Sequence, residues 1–217
     1  MNFLGFDLRD LIISVPAVLI CITFHEYAHG WVAWKLGDPT ARQQGRLTLN
    51  PLSHIDPIGF ICLVFFHFGW AKPVPVNVGY FKNRRRDMAL TALAGPVSNV
   101  LTGFVFLLIA LLLVVFGRGS SFGSAMADFL ITCASISVSL AVFNLIPVPP
   151  LDGSNILIPF LPEKARAFCF HYGAYFQIGL LVLLYLGWLS GPIRVAANWV
   201  FNSMLSLVFF LLRIVGL

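Results

Sequence analysis

Two histidines four residues apart flank a glutamate near the end of the first apolar stretch, in the run FHEYAHG at 24–30. On an α-helix His25 and His29 lie on one face about 6 Å apart, so both imidazoles can bind one metal ion. Glu26 lies between them and can act as general base on a water at that metal. Zinc suits this chemistry, because it lowers the pKa of its water from about 15.7 to about 7 and polarises a carbonyl. The spacing therefore predicts a hydrolytic zinc site.

The composition makes a chance occurrence of this pattern a poor explanation. The whole chain has five His, and its only glutamates are Glu26 and Glu163. An ionisable group at membrane depth costs at least about 2.5–3.5 kcal/mol and marks a functional site by default. Three such groups within five residues are hard to keep for packing alone.

A catalytic zinc usually takes a third protein ligand besides a water, and that ligand must come from elsewhere in the chain. Asp152 is the best candidate, because it follows the proline-rich end of an apolar stretch in NLIPVPPLDG. Asp-Gly is also a common turn pair, so Asp152 has a structural alternative. The competing candidates are His54, His67, Asp56 and His171. Asp128 is excluded because it is predicted at the other side of the membrane.

The overall composition is that of a membrane protein. Hydrophobic residues make up 59% of the 217 residues and charged residues 11%, with a mean hydropathy of +0.88. A soluble domain carries about 25% charged residues. The net charge of +5 does not indicate nucleic-acid binding, because the basic residues flank apolar stretches and anchor them at the membrane surface. The lipid bilayer is the expected environment.

Five apolar stretches approach or exceed the roughly 20 residues that a span needs, at about 11–36, 88–116, 125–146, 172–189 and 193–215. Residues 37–87 are too polar and proline-rich for a span, yet too apolar for a solvated loop. We therefore predict an all-α membrane protein, a polytopic bundle of about five transmembrane helices with a re-entrant, extended segment after the first. Residues 1–217 form one membrane domain, with a catalytic core at about 11–160 and C-terminal helices at about 172–215.

The distribution of Lys and Arg predicts the orientation. With the N-terminus outside, eleven of the fourteen Lys and Arg residues fall on the cytoplasmic side. The FHEYAH run and the PVPPLDG break then lie at the same cytoplasmic depth. The site is therefore expected toward the cytoplasm. Within the re-entrant region, VPVNVGY at 74–80 is a candidate edge strand that captures an unwound peptide by strand addition; a plain membrane-packed loop is the alternative.

The motifs together resemble those of the site-2 proteases, intramembrane zinc metalloproteases of peptidase family M50. The resemblance is carried by FHEYAHG at 24–30, AGPVSN at 94–99 and NLIPVPPLDG at 144–153. The run GRLTLNPLSHIDPIG at 45–59 is similar to short members that lack extra domains. The resemblance covers most of residues 11–160, and the pairing of HEYAH with LDG makes it specific.

This resemblance implies that His25, His29 and Asp152 bind one zinc ion per chain and that Glu26 is the general base. It implies that Asn144 holds the substrate or the reacting carbonyl. The substrate would be a transmembrane helix of a partner protein, cut within or near the bilayer of a prokaryotic inner membrane. No PDZ or CBS domain is expected in this chain. Neither the substrate nor the oligomeric state is indicated.

Two further residues are weaker substrate-binding candidates. His54, in PLSHIDP, is either a group near the zinc or a loop histidine bonded to local backbone. Asn99, in AGPVSN, is expected to hydrogen-bond either the helix that carries the HEYAH run or a substrate carbonyl. The alternative is a structural hydrogen bond between two helices.

Two alternatives to a protease stay open on the sequence. One is a membrane transporter or metal-binding protein that uses the buried charges as a cation path, although no inverted repeat is visible. The other is a scaffold that binds helices without cutting them, which the intact Glu26 argues against.

Overall fold

The structure is a computed structural model that describes residues 2–3, 6–66, 69–117, 120–214 and 216. Two short strands, β1 (Asn2–Phe3) and β2 (Phe6–Asp7), pair antiparallel ahead of the first helix. The helices within these residues are α1 (Leu8–Lys35), α2 (Thr40–Gln43), α3 (Pro57–Phe66), α4 (Arg84–Phe116), α5 (Ser121–Asn144), α6 (Asp152–Leu157), α7 (Glu163–His171), α8 (Gly173–Tyr185) and α9 (Ser190–Ile214). Short 3-10 turns occupy Pro51–His54, Val78–Tyr80 and Ile158–Phe160.

Four helices of the described chain, α1, α4, α5 and α9, are long and apolar enough to cross a membrane. The bent pair α7–α8 makes a fifth if it is counted as one span, with a bend of 64°. The predicted polytopic helical bundle is therefore confirmed. The expected span at 172–189 differs in detail, because α8 has 13 residues and is about 20 Å long, short of a bilayer core of about 30 Å. α7 does not lengthen α8 into an apolar span, because its first turns carry the charged residues Glu163, Lys164 and Arg166.

Helix α4 is the centre of the bundle, packing against α1, α5, α6 and α9. Small buried residues let the helices approach closely, as is usual between helices in lipid. A Cβ at Gly103 of α4 would lie 3.3 Å from the backbone oxygen of Ala134 on α5. On the side of α1, Cys21 is fully buried and its thiol donates to the backbone oxygen of Cys133 at 3.3 Å. These contacts pack both α4 and α1 against α5.

The segment between α1 and α4 turns back on itself, as a re-entrant region does. α3 leads in one direction, and the returning chain forms an isolated antiparallel bridge between Ile55 and Ala71. The two limbs are very close, because a Cβ at Gly69 would overlap the backbone oxygen of Gly59. The expected re-entrant segment is thus a short helix with a closely packed return.

Residues 71–77, called here the 71–77 segment, run beside α1 with neither helix nor named strand. Two carboxylates of the α1 side accept its backbone N–H groups: Glu26 from Val74 at 2.8 Å and Asp38 from Asn77 at 2.6 Å. The edge strand expected at 74–80 has no partner strand among the described residues, and 78–80 form a 3-10 turn. Pro73 has no N–H to donate, so the N–H groups of Val74 and Asn77 attach the 71–77 segment to these two carboxylates.

Candidate metal centre

Helix α1 brings the two histidines of the HExxH run to one point. The Nε2 atoms of His25 and His29 are 3.0 Å apart, and the ring centroids are 4.6 Å apart at an angle of 84°. Both residues are buried, with exposed fractions of 5% and 8%. The helical spacing of four residues therefore turns both imidazoles toward a shared position.

The helix break after α5 places Asp152 beside the Nε2 atoms of the two histidines. Its Oδ2 lies 3.0 Å from His25 Nε2 and 3.2 Å from His29 Nε2. The prolines of the 147–150 run end the helix, because proline lacks the N–H and clashes with the preceding turn. Gly153 lets the chain fold back tightly, since a Cβ there would overlap the backbone oxygen of Leu145. Asp152 thus begins α6 beside the metal helix.

The three ligand atoms form a triangle that fits a zinc ion. In a tetrahedral site with metal–ligand bonds of about 2.0–2.1 Å, ligand atoms are about 3.3 Å apart. The observed separations of 3.0–3.2 Å match that spacing. Burial by itself raises the pKa of the Asp152 carboxyl, but hydrogen bonding to His25 and His29 outweighs it and lowers the pKa to about 2. The group is therefore a carboxylate at neutral pH, the form that binds metal.

Helix α4 supports both imidazoles from behind. His29 Nδ1 lies 2.7 Å from the backbone oxygen of Thr91, to which it donates when Nε2 is free to bind a metal. His25 Nδ1 lies 3.0 Å from the side-chain amide of Asn99, which is fully buried. Between these two contacts lies Gly95, where a Cβ would be 2.6 Å from His25 Cε1 and would overlap His29 Nε2. Residues of the AGPVSN run therefore pack directly against the rings of both candidate metal ligands.

Glu26 projects into a cavity of about 510 Å³ that borders the three ligands. Its Oε2 accepts the backbone N–H of Val74, and this holds one carboxylate oxygen in a defined direction. The cavity is lined by Ile22, His25, Glu26, Gly69, Trp70, Ala71, Pro73, Leu140, Phe143, Asn144, Pro150, Leu151, Asp152, Gln177, Leu180, Leu181 and Leu184. A carboxylate, a group of three candidate metal ligands and a largely apolar chamber thus share one space.

The other predicted site residues are distributed differently. Asn144 lines the same cavity, and its Nδ2 donates to the backbone oxygen of Leu140 at 3.0 Å. Asn99 lies behind the metal histidines, where its side chain meets His25. His54 is buried against Thr48, with 2.9 Å between Nε2 and the Thr48 backbone oxygen, and borders a separate small cavity.

The competing third ligands lie in other places. The carboxylate of Asp56 caps α3 by accepting the N–H of Gly59 at 2.8 Å. His171 ends α7, with its ring against Tyr172. His67 lies outside the described residues. Of the described candidates, Asp152 alone joins the histidines in a three-ligand group.

Sequence reasoning missed several parts of the site. Gly95 lies inside the AGPVSN motif, but the sequence around a helical glycine does not show which side chain packs against it. The N–H of Val74 is backbone, which a search for side-chain chemistry cannot find. Gln177 lies in an apolar stretch about 150 residues from Glu26, so only its polarity within that stretch could have singled it out.

The fold and the site define a class: a polytopic membrane protein with an HExxH helix and a distant carboxylate around one buried metal position. The family model for peptidase family M50 matches residues 13–186 of the chain. The chain belongs to this family, as its motifs indicate, and it is a membrane-embedded metalloprotease.

Curated relatives agree with the assignment. The chain is 39% identical over 184 residues to YwhC of Bacillus subtilis, named "Putative zinc metalloprotease", with 84% of each chain covered. It is 30% identical over 203 residues to Rip2 of Mycobacterium tuberculosis H37Rv, which bears the same description, covering 88% of this chain and 73% of the relative. Protease RseP of Photorhabdus luminescens is 31% identical over 106 residues, covering 46% of this chain and 38% of the relative. No solved structure matches significantly.

Proposed function

We propose that the chain is an intramembrane zinc endopeptidase that hydrolyses a peptide bond within or near a transmembrane helix of a membrane protein. One zinc ion per chain would be held by His25, His29 and Asp152, with Glu26 as general base. The observation that carries the proposal is the convergence of these four side chains on one largely apolar cavity. Transport through the site is not favoured by any contact of the described residues.

A bound zinc ion would polarise the scissile carbonyl and lower the pKa of an attacking water to about 7. Glu26 would take the proton of that water and pass it to the departing amine. The hydrogen bond from Val74 N–H at 2.8 Å supports this role, because it orients one oxygen of the carboxylate and leaves the other available. Asn144 lines the cavity near the end of α5, where its side-chain oxygen can meet a substrate N–H.

The cavity supports an apolar, membrane-embedded substrate. Apolar residues make most of its lining, with leucines the most numerous among them. Chain orientation follows from the positive-inside rule, which puts the end of α1 and the start of α6 toward the cytoplasm. The location would be a prokaryotic inner membrane. Capture of an unwound substrate along residues 74–80 stays a prediction, and the N–H of Val74 within them is already bound to Glu26.

The test separates metal binding from chemistry. Purified Glu26→Gln is expected to keep about one zinc per chain and to lose cleavage of a single-span transmembrane protein in proteoliposomes. His29→Ala is expected to lose both, because it removes a ligand. Asp128→Asn is a matched carboxylate control, since Asp128 is exposed and distant from the site. Cleavage by Glu26→Gln at the wild-type rate would falsify the mechanism.

A further inference from the structure

Helix α8 contributes one wall of the active-site cavity. Four of its residues line the cavity: Gln177, Leu180, Leu181 and Leu184. Their spacing of three and four residues puts them on a single helical face. Three are leucines, so the amide of Gln177 is an exception on an otherwise apolar face.

The amide of Gln177 is available for a ligand. The side chain is exposed in the structure and has no hydrogen-bond partner within the described part of the chain. The other polar side chains of the cavity each have at least one partner in the structure: His25 and Asp152 lie against each other at the candidate metal position, and one oxygen of Glu26 accepts the N–H of Val74. Asn144 has its donor directed at the backbone of its own helix.

An unwound transmembrane substrate has the chemistry that this amide matches. Cleavage requires part of the substrate helix to open, which leaves peptide N–H and C=O groups without their helical partners. In an apolar, membrane-embedded site each unpaired group is costly, so the enzyme must supply partners. A glutamine amide offers donors and an acceptor together, as a peptide group requires.

We propose that Gln177 is a substrate-binding residue that pairs with a backbone peptide group of the unwound substrate segment, while the leucines of the same face contact its apolar side chains. This inference rests on the proposed function, because it takes a transmembrane peptide as the ligand of the cavity. It assigns α8 a direct part in substrate recognition, independent of the metal ligands.

The test uses Gln177→Met, which keeps the length of the side chain and removes the amide. A synthetic single-span peptide that the wild-type protein cleaves and Glu26→Gln does not is the probe. Gln177→Met is expected to lower kcat/KM about tenfold, the effect of losing one buried hydrogen bond, with zinc content unchanged. Ile178→Met is the matched control, because Ile178 is exposed on the same helix and does not line the cavity.

Substrate peptides with single backbone amides replaced by esters distinguish binding from a structural effect. At the paired position, the ester is expected to slow cleavage by the wild-type protein and to have little further effect on Gln177→Met. Unchanged kcat/KM in Gln177→Met, or ester effects that add to the mutation at every position, would overturn the inference alone. If the wild-type protein cleaves no transmembrane peptide, the proposed function is refuted and the inference with it.

Discussion

The contact between Asn99 and His25 leads to a specific prediction about metal affinity. Asn99 Nδ2 lies 3.0 Å from His25 Nδ1, while Asn99 Oδ1 is buried without a partner among the described residues. When His25 binds a metal through Nε2, its proton is on Nδ1, and that N–H needs an acceptor. Rotating the amide by half a turn presents Oδ1 to this N–H. We therefore expect Asn99 to hold His25 in the metal-binding tautomer.

The size of the effect follows from the complete burial of the pair. Asn99→Leu would leave the Nδ1–H of His25 buried and unpaired, at a cost of about 1–3 kcal/mol. This corresponds to about a 5–160-fold loss in zinc affinity, a range that includes the usual effect, about 10–100-fold, of removing an outer partner of a metal-binding histidine. Asn99→Asp keeps an oxygen acceptor of similar shape. It is expected to bind zinc within about threefold of the wild-type protein or more tightly.

Zinc affinity is measured by competition with a chromophoric chelator in detergent, and the cobalt-substituted absorption spectrum reports the ligand geometry. Asn202→Leu on α9 is the control, because that asparagine is exposed and does not line the cavity. The reasoning is refuted if Asn99→Leu binds zinc as tightly as the wild-type protein. It is also refuted if Asn99→Asp loses as much affinity as Asn99→Leu, since an acceptor would then be irrelevant.

Two further substitutions test the supports of the site. Gly95→Ala forces a Cβ into the metal-binding histidines, so we expect zinc affinity to fall about 10–100-fold by overpacking, as measured by metal content after dialysis. Gly179→Ala, with open space around its Cβ, should leave zinc content unchanged. Asp38→Ala removes a fully buried carboxylate that holds the 71–77 segment, and should lower the free energy of unfolding by about 3 kcal/mol and speed hydrogen exchange in that segment. Asp128→Ala is the exposed control, and equal effects in the two aspartate variants would contradict this account.

The long apolar stretches were readable from the sequence because the bilayer imposes a local requirement. A span must be apolar over about 20 residues, so α1, α4, α5 and α9 are visible one at a time. The bent pair α7–α8 was not predicted, because a break within an apolar stretch depends on packing around it. The same limit applies to the 71–77 segment, where irregular backbone is stabilised by carboxylates on the α1 side.

The sequence by itself determined the pattern on α1 from which the proposed metal chemistry follows. His25, Glu26 and His29 lie within five residues, and the helical repeat alone turns the two imidazoles to one face. It also indicated Asp152 as the third ligand, through a proline break at the same predicted depth.

Only the tertiary structure decided which groups complete the site. The separations of 3.0–3.2 Å, the contact of Asn99 with His25 and the cavity wall from α8 join residues that are far apart in the chain. Such contacts depend on how helices pack against one another, and packing leaves no periodic signal in a single sequence. Gly95 shows the difference. The glycine can be seen in the sequence, but the reason a larger residue does not fit there is that two imidazole rings of α1 pack against it.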